Sequence, residues 1–461
     1  MVFSSPVFLF AFLTAVYIIY RIIPAMTAKN ILLLIFSLLF YTYGEPKALL
    51  LMIISIEMNY QFGRAMKQEN KYRKSTMICA VTANLLMLGA FKYAGFGAGL
   101  LNITIPHIAL PIGISFYTFQ AMSYVIDAYN NPEYIQKSRF KLALYITFFP
   151  QLVAGPIVKY YDFVNQIDRR EHIPEQTAKG IKRFITGLSK KLLIANTMAI
   201  AADYVYSLDM TDLSVPLAWL GAVSYLFQIY FDFSGYSDMA VGLGAMFGFT
   251  FRENFNYPYI SQSMQDFWRR WHISVSTWFK EYLYIPLGGN RKGKVRTAVN
   301  KLIVFFCTGL WHGASLNFIV WGLINGAFMM IESYKIIKPE KWLRPFRHIY
   351  TMFVTVLAFV FFRADDLPEA CRFIGHMFCP LGDSVQTAMF MKQITPMYLI
   401  MLVLAVIFSI PVVQIISEKA GTEKSSGIYE VCSYAVSLVL LGLCIITLSS
   451  DSYSPFIYFR F

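Results

Sequence analysis

Long apolar runs alternate with short charged loops along this chain, and the lengths of the runs decide its class. Residues 1–20, 75–91, 93–126, 302–331, 394–417 and 431–450 contain no Asp, Glu, Lys or Arg. Shorter apolar runs lie at 30–44, 142–158, 213–231 and 348–362. A helix needs ~20 mostly apolar residues to cross a hydrocarbon core of ~30 Å at ~1.5 Å per residue. The pattern predicts an all-α, polytopic membrane protein with about ten to twelve crossings or part-crossings.

Composition supports this class. Hydrophobic residues make up 57% of the 461 residues and charged residues 15%, against roughly a quarter charged in soluble domains. No long polar segment interrupts the runs, so 1–461 reads as one membrane domain. The motif-rich part falls at 111–331. The first run opens with MVFSSPV. It lacks the basic start and the A-x-A-like site of a cleaved signal peptide, and is expected to be a retained helix.

The net charge of +13 sits in short loops, above all 64–74, 291–301 and 335–347. The positive-inside rule places these three in the cytoplasm and the N-terminus outside. Nucleic-acid binding is excluded, because no soluble basic domain exists to carry it. Six cysteines lie mostly within apolar runs and form no C-x-x-C. They read as small buried hydrophobes, neither disulfides nor metal ligands.

Three zones break the regular pattern. FPQLVAGPI at 149–157 interrupts an apolar run with two prolines and a glycine. Such backbone is either an interfacial loop or a segment buried in protein. QDFWRRWHISVSTWFKEYLYIPLGG at 265–289 mixes tryptophans and tyrosines with Arg269, Arg270 and Lys280, which predicts a non-spanning helix near the headgroups. The third is 302–331. Thirty residues of helix extend ~45 Å, too long for one crossing and too short for two. Basic loops on both sides require a hairpin or re-entrant turn. Gly309 and Gly313 weaken the helix around His312, which lies ~15 Å along from Leu302, near half-depth.

Few residues can carry chemistry. His107, His172, His348 and His376 sit near expected helix ends or loops and read as ordinary polar residues. His312 stands in an uncharged run, and His272 in the aromatic-basic segment. A polar group at membrane depth either bonds across helices or serves function. A functional histidine suits proton transfer near neutral pH, accepting the proton of a hydroxyl as its oxygen attacks a thioester carbonyl. Asp232 and Asp238 lie in YFDFSGYSDMAVGLG. They are expected to pair with basic residues or cap a broken helix, and a spacing of six does not place both on one helical face. Gly288–Lys294 has P-loop spacing, but Val295 replaces the magnesium-binding hydroxyl. Gly113-Ile-Ser115-Phe-Tyr117 lacks the last glycine of a nucleophile elbow. No H-E-x-x-H occurs, so no metal is expected. Gly244 and Gly248 read as close helix packing.

WRRWHISVSTWFKEYLYIPLGGNRKG at 268–293 and GLWHGASLNFIVWG at 309–322 resemble the membrane-bound O-acyltransferase (MBOAT) family. So do PIGISFYTFQAMSYVIDAY at 111–129, FFPQLVAGPIVKY at 148–160, YFDFSGYSDMAVGLG at 230–244 and SPFIYFRF at 454–461. The wording is closest to the bacterial, AlgI-like branch that O-acetylates polysaccharides such as alginate. The resemblance implies a ring of tilted helices around a central channel. It implies that His312 is catalytic and that His272 is its companion. Trp311, Gly313, Arg270, Trp271, Asp232 and Asp238 become channel or structural candidates. It further implies an acyl-thioester donor, most simply acetyl-CoA, and no bound cofactor. The expected acceptor is a cell-surface or secreted polysaccharide, aided by an extracytoplasmic acyl-transfer partner protein, at the bacterial inner membrane. D-alanyl transfer to teichoic acid, as in DltB-like members, and a non-catalytic transporter or flippase are the alternatives.

Overall fold

A computed structural model describes residues 1–67, 71–106, 108–171, 173–379, 384–420, 426–450 and 456–457. His107, His172 and most of the 454–461 motif lie outside the described residues. Those described form helices and no strand. Met26–Gly44, Arg73–Lys92, Leu316–Ser333, Arg344–Arg363 and Gly427–Ser449 are each long and apolar enough to cross a membrane. The bent pair Val385–Gln393 and Pro396–Phe408 makes a sixth if it is one broken span. Other apolar runs fold as interrupted pieces. The first is a π-helical turn, Val7–Phe12, leading into Leu13–Ile22. The 93–126 run divides into Ala94–Leu100 and Ile114–Asn130.

The chain forms two compact units, Met1–Phe184 with Ser237–Glu253, and Ile185–Tyr236 with Asn254–Phe461. In the first, Phe3, Phe8, Phe12, Phe40 and Phe149 pack ring against ring. Asn59 and Asn84 exchange side-chain amide hydrogen bonds of 3.1 and 2.7 Å between two helices, which satisfies polar groups where lipid offers no partner. The 149–157 segment is buried: a one-turn helix, Phe149–Leu152, precedes a turn at Val153–Gly155. Its Phe149 N–H donates to Ser37 Oγ at 3.1 Å. This decides for protein-enclosed backbone over an interfacial loop.

In the second unit the 302–331 run is the hairpin that its flanking charges demand. The first arm is Gly293–His312 and the second is Leu316–Ser333. The first arm starts nine residues before the apolar run, through Lys294, Arg296 and Lys301. At that basic end Lys301 Nζ donates to Ser333 Oγ at 2.6 Å. Glycines let the arms approach. A Cβ at Gly309 would strike the Phe318 carbonyl, and one at Gly322 the Phe305 carbonyl.

The tryptophans at 268–278 turn into the protein. The segment is short and non-spanning, as expected, in the pieces Met264–Arg270, Ile273–Phe279 and a π-turn to Tyr284. Trp268, Trp271 and Trp278 are nonetheless buried among other rings. Aromatic side chains carry the largest apolar area available to a core, and here packing claims them. The cysteines correct a second expectation. All are free, but Cys79, Cys371, Cys379 and Cys432 are exposed on the protein surface, and only Cys444 is buried, 3.4 Å from Ser189 Oγ.

Gly→Ala normally favours a helix by ~0.5–1 kcal/mol. At Gly309 and Gly322 the blocking atoms are main-chain oxygens, so overpacking of ~1–3 kcal/mol outweighs that gain. Gly309→Ala and Gly322→Ala are expected to lower the melting temperature of the detergent-purified protein. Gly442→Ala, where a Cβ meets nothing within 4 Å, is expected to leave it level or slightly higher.

Candidate active site

His312 closes the first arm of the hairpin. Gly313 follows in extended conformation, and a Cβ there would overlap the Phe318 ring. The chain therefore turns sharply beyond the histidine and re-enters helix at Leu316. His312 is 3% exposed. Its ring lies 4.9 Å from Trp311, 5.0 Å from Trp321 and 5.1 Å from Phe362, centroid to centroid. Phe362 belongs to the Arg344–Arg363 helix, whose terminal carbonyls accept from Asn317 Nδ2, 2.6 Å from Ala364 O. Asn317 thus ties the start of the second arm to the helix that walls the imidazole.

His272 approaches from another element. It sits between the Met264–Arg270 and Ile273–Phe279 helices in a left-handed conformation, φ 45° and ψ 53°. Such backbone costs a non-glycine residue energy and persists only where its surroundings over-determine it. Two bonds with the 254–256 segment do so. Ile273 N–H donates to Asn254 O at 2.9 Å, and Asn256 N–H donates to Arg270 O at 3.0 Å. The two histidine rings lie 6.2 Å apart, with Trp311 4.9 Å from one and 5.9 Å from the other. Phe233 meets the His272 ring edge-on at 4.5 Å.

Asn254, which the sequence reading did not single out, sets the His272 tautomer. Its Oδ1 accepts from the Ser274 main-chain N–H at 3.1 Å. That N–H can only donate, so the atom facing it is the amide oxygen. The same oxygen lies 3.1 Å from His272 Nδ1. Nδ1 therefore carries the proton of the neutral ring, and Nε2 carries the lone pair. No pattern in the sequence marks Asn254. It lies 18 residues before its histidine, and only the folded return of the chain joins them.

Glu332 was also invisible. From the end of the second arm it accepts from the Met264 and Gln265 N–H groups, at 2.7 and 3.0 Å. It thus supplies an acceptor to the N-terminal donors of a short helix, which have no partner within that helix. Two turns earlier on the same arm, Asn325 Oδ1 accepts from Trp268 Nε1 at 3.1 Å. One arm thereby begins beside His312 and holds, at two points, the helix that leads to His272.

The remaining candidates divide. Trp311 and Gly313 join the histidine pair. Trp271 is buried against Phe255, Phe267 and Phe359, and supports the fold around His272. Arg270 is half-buried and paired with Asp266 at 2.9 Å. Asp232 forms a buried ion pair with Lys191 at 2.8 Å and accepts from Ile457 N–H at 2.8 Å. Asp238 belongs to the other compact unit and pairs with Arg183 at 2.6 Å. Both carboxylates have the basic partners that their sequence context called for. Among the described residues no cluster of His, Cys, Asp and Glu suits a metal ion.

Removing the Glu332 carboxylate strips two N–H groups of their shared acceptor, a loss of ~1–3 kcal/mol for a buried group. Glu332→Ala is expected to melt several degrees below the parent protein. Glu332→Gln, which keeps one acceptor oxygen, is expected to fall between them in the same thermal scan.

Comparison with known proteins gives the arrangement a family. The model for the membrane-bound O-acyltransferase family matches residues 52–363, including both histidines. The probable alginate O-acetylase AlgI of Pseudomonas putida is 38% identical over the whole of both chains. The peptidoglycan O-acetyltransferase of Helicobacter pylori is 37% identical, covering 82% of this chain and 80% of its own. The teichoic acid D-alanyltransferase of Bacillus subtilis is 30% identical over 54% of this chain and 66% of its own. Apolar helices, the paired histidines and these similarities agree: the chain belongs to the membrane-bound O-acyltransferase family, as a multi-pass membrane acyltransferase.

Proposed function

We propose that this protein moves an acetyl group from a cytoplasmic thioester, acetyl-CoA, toward hydroxyls of a cell-surface or secreted polysaccharide, with His312 as general base. The observation that carries the proposal is the histidine pair: two buried imidazoles 6.2 Å apart, walled by aromatic rings. Similarity to an alginate O-acetylase and a peptidoglycan O-acetyltransferase along most or all of the chain supports the acetyl and polysaccharide parts. D-alanyl transfer has weaker support, since that relative matches about half of the chain. The transporter reading falls with the family assignment.

The chemistry follows from the geometry. His312 takes the proton of the attacking hydroxyl, and a base positioned in this way contributes ~10²–10⁴-fold. His272, with Nδ1–H held by Asn254, presents the Nε2 lone pair and orients a donor or acceptor group. Closely packed rings exclude water, which protects the thioester from hydrolysis. An extracytoplasmic partner protein that passes the acetyl group to the glycan, and residence in the bacterial inner membrane, complete the proposal.

Native membrane vesicles, which hold the full chain together with its extracytoplasmic partner, are to be given radiolabelled acetyl-CoA, with alginate, peptidoglycan or teichoic acid outside. Label is expected to leave CoA and reach a polysaccharide fraction, and His312→Ala is expected to abolish this at normal protein abundance. Transfer from an aminoacyl carrier protein alone would overturn the acetyl assignment, and full activity of His312→Ala would overturn the general base. Asn254→Ala releases the His272 tautomer. It is expected to lower turnover ~10–100-fold, or ~1.4–2.7 kcal/mol in barrier, with a smaller change in donor KM.

A further inference from the structure

Beyond the two histidines, the structure assigns a third catalytic group: the indole N–H of Trp321, which we infer donates a hydrogen bond to the oxyanion formed when the donor carbonyl is attacked. This inference rests on the acyl-transfer reading of the histidine pair.

Trp321 lies on the second arm of the hairpin and is 2% exposed. Its ring stands against the His312 ring at 5.0 Å and 86°. It is further enclosed by Phe362 at 5.0 Å and Trp268 at 5.8 Å. Its Nε1 has no hydrogen-bond partner among the described residues. A buried donor left unsatisfied costs ~1–3 kcal/mol, and native proteins leave few of them.

The neighbouring tryptophan shows what satisfaction looks like here. Trp268 donates its Nε1 to Asn325 Oδ1 at 3.1 Å, and Asn325 Nδ2 in turn donates to Trp321 O at 2.8 Å. One amide, four residues along the same helix, serves one indole and the other's main chain. It leaves the second indole N–H unused. A phenylalanine would fill much of the same space without the penalty. A tryptophan at this place is accounted for when an acceptor arrives during the reaction, and the acceptor that arrives beside His312 is the developing oxygen anion.

The step balances as follows. The acceptor hydroxyl gives its proton to an imidazole nitrogen of His312 as its oxygen bonds to the thioester carbon. The carbonyl π pair moves onto oxygen, where Trp321 Nε1–H meets it. The pair then returns, the C–S bond breaks, and the leaving thiolate takes the proton back from the imidazolium. A preorganised donor aimed at the oxyanion accelerates the step without tightening ground-state binding.

The test replaces Trp321 in the full chain with Phe and, by nonsense suppression, with the benzothienyl isostere, which keeps the ring shape and has no N–H. Acetyl-CoA is the donor and alginate the acceptor, in membrane vesicles, with thiol release followed. Loss of one oxyanion donor is worth ~10²–10³ in kcat. The isostere is expected to show that loss with donor KM nearly unchanged and with the parent melting temperature. A fully active isostere would overturn the inference, and so would a fall in activity matched by a fall in melting temperature. His312→Ala in the same assay separates the two claims. If it stays active, the general-base role of His312 fails, and with it the histidine-pair reading on which the inference rests; if it is dead while the isostere is active, only the role of Trp321 fails.

Discussion

Everything around the histidines depends on two helix backbones meeting with no side chain between them. At Gly309 and Gly322 the arms of the hairpin face each other across main-chain atoms alone. Lipid gives helices no hydrophobic reason to associate, so membrane helices gain association energy from close van der Waals approach and from polar links. Here both operate. The glycines close the hairpin in the half nearest its turn, Lys301 and Ser333 link it at the basic end, and the tight turn lies between His312 and Leu316. With Gly309 three residues before the histidine, the imidazole is carried at the most constrained point of the arm.

The second histidine is constrained by a different device. His272 has no long helix of its own. It occupies a left-handed junction between two helices of seven residues each. Short helices are weak alone, so the junction borrows rigidity from the Asn254–Asn256 segment on one side and from the second hairpin arm on the other. The arm contributes through Glu332 and Asn325. Catalytic geometry tolerates displacements of well under ~1 Å. Placing both histidines under the control of one rigid arm meets that demand better than two independent loops can.

How much of this was legible beforehand varies with the range of the interaction. The helical class followed from run length, which is local. The hairpin followed from a run too long for one crossing and from basic residues at both ends. The companion relation of His312 and His272 came only through resemblance, because nothing in the 39 residues between them states that their rings meet. Asn254, Glu332 and Asn325 were missed for the same reason: each acts through a contact with another element, and an isolated Asn or Glu has no periodicity. The inward turn of the tryptophans was missed for a separate reason. Aromatic and basic residues side by side carry the composition of an interface. Composition does not say which of them turns inward, and the three-dimensional packing sends the rings in while leaving Arg269 and Lys280 exposed.

The buried aspartate shows why a polar group at depth is not, by itself, a catalytic one. Asp232 and Lys191 are both almost wholly buried and 2.8 Å apart. The second carboxylate oxygen takes the Ile457 N–H at 2.8 Å. Each charge is matched and each carboxylate oxygen has a partner, and under that condition a buried pair is tolerated; leaving one partner alone costs ~3–5 kcal/mol. The pair anchors a piece of chain far away in sequence. Phe456, next to the anchored residue, packs on Tyr236 at 4.6 Å and on Phe233 at 6.1 Å. Phe233 is the ring that meets His272 edge-on. The carboxylate thus influences the histidine through packing, by holding the segment behind its neighbour, and has no need to reach the reacting atoms.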